Sequence, residues 1–411
     1  MFRTYLNVII ATLNGQSSKK RLLIETEHVI NRVFCLLKEM LLVFLLMPGS
    51  VLLCKRKRYM IISERGDEAR DNGYHFFVYI RNHYPSIPAY YIIDKKSPDY
   101  DKVKQLGNIV SYKSLKHYYL FFGSYYRIST HTMGFSTDRG IYTRIYNYLP
   151  FPGYTISLKH GITKDNQKNL YFENTHLDLI FCGAKPEYDY IKNNFHYEEK
   201  RVKYTGFARF DSLHNHIENK QILIMPTWRN SLSRLTNVEF KQTDYFLRWN
   251  SLLNNQSFTA WATENQYDIV FYPHYEMQDY LHLFNTSSDK VILASFDKYD
   301  VQNLLKESSL LITDYSSVFF DFGYMNKPCI YYQFDKDRFF LNHYQKGYFD
   351  YDTMGFGPVV DNEADLLASF FDYYKFGFSI FPKYQIRINS FFTLKDSNNC
   401  ERIYQEISLL E

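Results

Sequence analysis

The chain has 411 residues, of which 19% are aromatic (39 Tyr and 35 Phe among them), 45% apolar and 22% charged, with a formal net charge of +4. That aromatic content excludes a disordered chain, and only five cysteines exclude a disulfide-stapled scaffold. A mean hydropathy of −0.38 excludes a polytopic membrane protein, and so small a net charge gives no argument for a nucleic-acid partner.

The length predicts two to three domains. The start, MFRTYLNVIIATLNGQSSKK, has a short apolar stretch without a secretory cleavage site. Between Val29 and Cys54 lies the most apolar stretch, interrupted by Lys38 and Glu39, with Pro48-Gly49 expected to break it after Met47. Residues 1–58 read either as a buried helix of the first domain or as a helix lying on the inner leaflet. The block Lys55, Arg56, Lys57 and Arg58 favours the second, because anionic lipid attracts each juxtamembrane basic residue by about 1 kcal/mol. The expected location is therefore peripheral, at the cytoplasmic face of the cell membrane. Cys35, Cys54, Cys182, Cys329 and Cys400 are scattered without C-x-x-C spacing, which suits a reducing cytoplasm.

From Tyr59 onward short apolar runs alternate with longer amphipathic stretches. Strands are predicted at 59–63, 89–94, 108–112, 126–130, 154–158 and 177–183, with helices at 72–84 and 114–122. After a polar link at 211–220, a second series of strands follows at 221–226, 267–273, 290–295, 309–314 and 328–332, and a last helix at 397–410. The pattern predicts an α/β chain of the GT-B type: two doubly wound, Rossmann-like domains facing across a cleft, preceded by the membrane-associating helical segment. The expected divisions are 1–58, 59–210, 211–396 and 397–411.

Ligands of such sheets sit at the carboxyl ends of strands. There the second series runs into Thr227-Trp228-Arg229, His274-Tyr275-Glu276 and Asp314-Tyr315-Ser316-Ser317. The guanidinium of Arg229 can fork onto phosphate oxygens, His274 can donate to a phosphoryl oxygen, and the two serines offer hydroxyl donors. Each alone has a plain alternative: an N-cap, a loop histidine, an arginine stacked on Trp228. Three phosphate-competent strand ends in one sheet shift the balance. In the first series, strand 154–158 leads into Lys159-His160-Gly161-Ile162-Thr163-Lys164-Asp165, where His160 can take a proton from a hydroxyl and Lys164 adds charge. The triplets Asp335-Lys-Asp337 and Asp350-Tyr-Asp352 are of a kind common by chance in charged loops, and the second lies between aromatic residues rather than at an obvious strand end, so no metal is assigned. With neither G-x-G-x-x-G nor a P-loop present, no cofactor is expected.

In order, these pieces resemble the CDP-glycerol glycerophosphotransferase family, which builds teichoic acids and related phosphopolymers. The resemblance rests on ISERGDEARDNGYHFFVYI (62–80), KHGITKD (159–165), TGFARFDSL (205–213), ILIMPTWRNS (222–231), YPHYE (272–276) and LLITDYSSVFFDFGYMNKPCIYY (310–332). It implies transfer of a polyol phosphate from CDP-glycerol, or another CDP-polyol, to a lipid-linked linkage-unit or polymer acceptor, releasing CMP. It also implies His160 as base and His274 as stabiliser of the phosphoryl group. Donor-binding positions are expected at Gly161, Ile162, Thr163, Lys164, Arg209, Pro226, Thr227, Arg229, Pro273, Tyr275, Asp314, Ser316, Ser317 and Asp321. Ala208 stands where the family commonly has Pro, and Lys159 where many polymerases have Trp. Alternative readings are a GT-B glycosyltransferase using a nucleotide sugar and a non-catalytic scaffold of a polymer-assembly complex.

Overall fold

The computed structural model describes residues 19–54, 58–149, 151–214, 217–232, 235–342 and 345–410. Its first sheet has seven strands: β1 (Met60–Ser63), β2 (Ala89–Ile93), β3 (Ile109–Ser111), β4 (Tyr126–Ser129), β5 (Tyr154–Ser157), β6 (Leu179–Cys182) and β7 (Val202–Tyr204). They run parallel in the order β3-β2-β1-β4-β5-β6-β7. The second sheet has six: β8 (Gln221–Ile224), β9 (Asp268–Phe271), β10 (Val291–Leu293), β11 (Leu310–Thr313), β12 (Cys329–Tyr332) and β13 (Val359–Val360). These also run parallel, in the order β10-β9-β8-β11-β12-β13. Two doubly wound sheets in one chain make this the GT-B architecture.

Both faces of each sheet are covered, and the period-2 alternation sorts the side chains between them. Met60 and Ile62 enter one core beneath the first sheet, while Ile61 enters the other. Ile222 and Ile224 likewise face one side of the second sheet and Leu223 the opposite side. Strand order reverses between β1 and β4 in one sheet and between β8 and β11 in the other. The chain therefore diverges at those points and leaves a crevice at the strand ends.

The last helix, Asn399–Ser408, returns to the first domain, burying Cys400, Ile403 and Ile407 among Phe76, Phe77 and Tyr91. Asp211, in the polar link, accepts from the backbone N–H groups of Asn399 (2.9 Å) and Cys400 (2.8 Å) and so caps that helix. Short β7 and two-residue β13 were not anticipated from the sequence, because three- and two-residue edge strands carry too little periodicity to read.

The N-terminal helix runs unbroken from Lys19 to Cys54, through Pro48. The expected break is absent because a neighbouring helix, Leu115–Gly123, holds the chain beyond the proline: Ser50 donates from its hydroxyl to the Tyr119 carbonyl. Glu39, which reads as an interruption of an apolar run, is the anchor of the docked face. It is 5% exposed and accepts from the hydroxyls of Tyr118 (2.6 Å), Thr137 (3.0 Å) and Tyr142 (3.0 Å). Val43, one turn on, joins the apolar core that holds Tyr118 and Tyr142. Elsewhere on this helix Ile30, Phe34, Leu37, Leu41, Phe44 and Leu45 are all exposed. Of the basic block only Arg58 lies within the described residues, its guanidinium 5.1 Å from the Tyr125 ring centre. Residues 1–18 and Lys55–Lys57 lie outside them.

Candidate active site between the two sheets

The strand ends of the first sheet converge on His160. Lys159, just after β5, adopts a left-handed backbone (φ +57°), costing on the order of 1–2 kcal/mol in a residue with a Cβ. Its surroundings impose it: Asn72 donates from its side chain to the Lys159 carbonyl (2.7 Å), and the buried Lys159 ammonium pairs with Glu187. Glu187 also accepts from the backbone N–H of Gly183 at 2.7 Å, fixing this loop against β6. The turn delivers His160 into the cleft with its side chain 63% exposed.

His160 meets Asp71, which ends the loop after β1 and caps helix Asn72–His83 by accepting from the Asn72 N–H (2.7 Å). The second Asp71 oxygen takes the hydrogen bond from His160 Nδ1. Burial alone would raise the Asp71 carboxyl, but the neighbouring His160, the Arg209 guanidinium and the hydrogen bond from the imidazole hold it well below the usual carboxylate range. An ionised Asp71 accepting at Nδ1 selects the tautomer whose lone pair lies on Nε2, the atom left to act as a base.

His131, just after β4, stacks on His160 with ring centres 4.8 Å apart. Arg65 reaches its Nε2 at 3.0 Å, and a guanidinium can only donate, so that nitrogen is the acceptor and the proton sits on Nδ1. Burial, His160 and Arg65 keep the His131 imidazole well below its ordinary value. Neither Asp71 nor His131 was picked out from the sequence. Asp71 lies eight residues beyond its strand, and His131 directly follows the predicted strand 126–130, which was the available signal.

The cations expected to meet a ligand are already committed. Arg229 is 6% exposed and pairs with Asp314 (2.8 Å) and Asp335 (2.8 Å), while donating to the Thr227 carbonyl at 2.9 Å. Instead of stacking on Trp228 it lies 5.0 Å from the Tyr315 ring centre and 4.9 Å from that of Phe339. Arg209 is 5% exposed and divides its donors between Asp321 (2.7 Å to each oxygen), Asp71 (2.9 Å) and the His160 carbonyl (2.7 Å). Lys164 is buried and paired with Asp165, so it presents no free charge to the cleft. The physical reason is common to all three: an unpaired buried cation costs several kcal/mol, so buried cations take carboxylate partners.

Ile162 is buried in the core that also holds Phe319 and Tyr331 of the second domain, and the Thr163 hydroxyl receives the Lys159 ammonium (2.5 Å). Asp314 is wholly buried and accepts from the backbone N–H groups of Thr227 (2.8 Å) and Tyr315 (2.5 Å). Burial, only partly opposed by Arg229, raises its carboxyl above the ordinary value. Asp335 is taken by Arg229, and Asp350 caps helix Tyr351–Met354, which gives both acidic triplets a structural role.

The two serines at the end of β11 are not committed in this way. Ser316 and Ser317, between β11 and helix Val318–Tyr324, make no side-chain hydrogen bond among the described residues. They lie at the cleft wall opposite the His160 loop: a Cβ on Gly161 would stand 3.1 Å from Ser317 Oγ, so glycine permits that close approach. His274 follows β9, packs parallel to Trp228 (centres 6.2 Å apart), and accepts at Nδ1 from the Glu276 N–H (3.2 Å). Its backbone N–H donates to the Pro226 carbonyl (3.2 Å), joining two strand ends. Buried Pro273 accepts from Gln278 (2.8 Å), and exposed Tyr275 lies edge-on to Phe296. The Phe296 carbonyl in turn accepts from Arg70 of the first domain at 3.1 Å.

Comparison with known proteins gives this geometry a family. The profile of CDP-glycerol:poly(glycerophosphate) glycerophosphotransferase matches residues 45–409. The chain is 36% identical over 367 residues to the minor teichoic acid biosynthesis protein GgaB of Bacillus subtilis, covering 87% of this chain and 40% of that protein. Among solved structures, a variant of the wall teichoic acid polymerase TagF superposes with a TM-score of 0.68 at 16% identity, over 95% of this chain and 98% of that one. Another TagF variant, soaked with CDPG, superposes at 0.64 with 18% identity over the same shares. The chain spans 36% to 64% of the length of the curated relatives it matches.

Proposed function

Because the chain belongs to the CDP-glycerol:poly(glycerophosphate) glycerophosphotransferase family, we propose that it transfers a polyol phosphate, glycerol phosphate first among candidates, from a CDP-linked donor to a hydroxyl of a lipid-linked acceptor or growing teichoic-acid chain. His160 Nε2 takes the proton of the acceptor hydroxyl. The hydroxyl oxygen bonds to the phosphorus that carries the polyol, the bond from that phosphorus to the bridging oxygen breaks, and CMP departs with the electron pair. His274, Ser316 and Ser317 hold the diphosphate, with Thr227 and Tyr275 beside them. Arg209, Arg229, Asp314, Asp321 and Lys164 shape the walls. Phosphoryl transfer of this kind needs placement and charge stabilisation more than covalent catalysis.

The observation that carries this reading is the Asp71-oriented His160 opening toward the Ser316–Ser317 strand end across Gly161. The test is CMP release from a panel of CDP-polyols with lipid-linked acceptors. Release with CDP-glycerol or CDP-ribitol is expected; turnover of a nucleotide sugar instead would favour a glycosyltransferase on the same fold. If both His160→Ala and His274→Ala left cellular polymer synthesis intact, a scaffold role would be favoured.

The reading places the chain at the cytoplasmic face of the membrane, held by helix Lys19–Cys54. Its span Ile30–Leu52 has a mean hydropathy of 1.9. Burying one large apolar side chain contributes about 1.5–3 kcal/mol, so the exposed face outweighs the roughly 1 kcal/mol each basic neighbour adds. Partitioning onto vesicles containing anionic lipid, compared with a variant carrying Phe34→Ser, Leu41→Ser and Phe44→Ser, tests it; equal partitioning of both would refute it.

A further inference from the structure

We propose that Arg209 is a positioning residue: it completes the His160–Asp71 pair only while Asp321 on the opposite domain holds it, so the base is assembled by the same contact that seats the helix after Ser316–Ser317. The inference deepens the transfer reading above and rests on it.

Arg209 sits on the short turn Ala208–Ser212, where the chain leaves the first sheet for the second. Its backbone N–H donates to the Asn72 side chain (3.0 Å), and Asn72 donates onward to the Lys159 carbonyl (2.7 Å). Its Nη1 reaches both Asp71 (2.9 Å) and the His160 carbonyl (2.7 Å). The backbone at 159–160 and the carboxylate that orients the imidazole are thus held by one residue and its nearest hydrogen-bond partner. The remaining side-chain donors, Nε and Nη2, go to the two oxygens of Asp321, a planar fork that fixes the guanidinium in orientation as well as place.

Asp321 lies one turn into helix Val318–Tyr324, which begins directly after Ser317. Arg209 and Asp321 are 5% and 2% exposed, so water cannot substitute for either. Four of the five side-chain N–H donors of Arg209 are spent on these protein partners. Adhesion of the two domains would not by itself need the Asp71 and His160 contacts, since Arg70 already crosses to the carbonyls of Phe296 (3.1 Å) and Tyr299 (3.3 Å).

The experiment uses the full chain, CDP-glycerol and a lipid-linked polyol-phosphate acceptor. It compares wild type with Asp321→Asn, Arg209→Met and the double variant Arg209→Met/Asp321→Asn. The double variant removes one of the two carboxylates stranded by the arginine change, the one that took two of its hydrogen bonds. We expect kcat of Arg209→Met to fall at least 100-fold with the KM for CDP-glycerol within twofold. In the double variant the melting temperature should return toward wild type while kcat stays low. A rise in KM at unchanged kcat would make Arg209 a donor ligand, and recovery of kcat together with stability would make it only glue; either overturns the inference. Nitrogen-15 NMR of the His160 imidazole gives a readout independent of turnover. Wild type should carry its proton on Nδ1 and the double variant a mixture; an unchanged tautomer also overturns it. Wild-type protein that releases no CMP from any CDP-polyol, yet shows the tautomer change, would instead refute the transfer reading.

Discussion

The strand ends of the first sheet and those of the second face one cleft but are built differently. In the first, His160 touches both Asp71 and His131, and the imidazole that faces the cleft has its orientation set by a buried carboxylate. In the second, Arg229 is committed to buried ion pairs, and the strand ends carry a histidine and two serine hydroxyls that make no side-chain hydrogen bond among the described residues. A group that must accept a proton needs one fixed tautomer and therefore a tied partner. Groups that must bind a mobile phosphate need open donors on a rigid backing. On the transfer reading proposed above, the chemistry belongs to the first side and donor binding to the second.

The change expected to have the largest effect breaks that contrast directly. His160→Ala should lower kcat by about 10²–10⁴, the range for a general base, whereas Asp71→Asn should lower it less and leave donor affinity nearly untouched. Steady-state CMP release reads both, and equal losses in kcat and donor affinity would erase the division between sides. Next, His274→Ala should cost about 10²-fold in kcat as a lost electrophilic donor, measured in the same assay.

Arg229→Met acts on the backing of the second side. It strands two carboxylates behind the surface and should destabilise the fold by about 3–5 kcal/mol, seen as a lower urea midpoint. A variant with wild-type stability and a selectively raised donor KM would instead restore Arg229 to the front. The smallest effect belongs to the open hydroxyls. Ser316→Ala and Ser317→Ala should each weaken donor binding by about 0.5–1.5 kcal/mol, rising toward the upper end for a bond to a charged phosphate. Isothermal titration with CDP-glycerol measures it, and a change confined to kcat would contradict the assignment.

Much of the architecture was legible because parallel strands buried on both faces read as apolar runs. Both series of central strands stand where those runs are, and both helices of the first half match. The site was legible only in part. His160, His274 and the serines stand out as polar residues following strands, a local signal. What could not be read was which cations are spent: Arg209 and Asp321 are 112 residues apart, and Arg229 and Asp314 are 85 apart, so their pairing exists only once the fold is formed. Glu39 makes the same point in the N-terminal helix. As a letter it interrupts an apolar run, while in the structure three hydroxyls from 79, 98 and 103 residues away make it the docking point.

The account turns on the direct conversion of a CDP-polyol. Incubating the full chain with CDP-glycerol and a lipid-linked acceptor should yield one CMP for each glycerol phosphate added to the acceptor, and His160→Ala should lower formation of both products by about 10²–10⁴. CMP formed without acceptor extension, or undiminished extension by the His160→Ala variant, would contradict it.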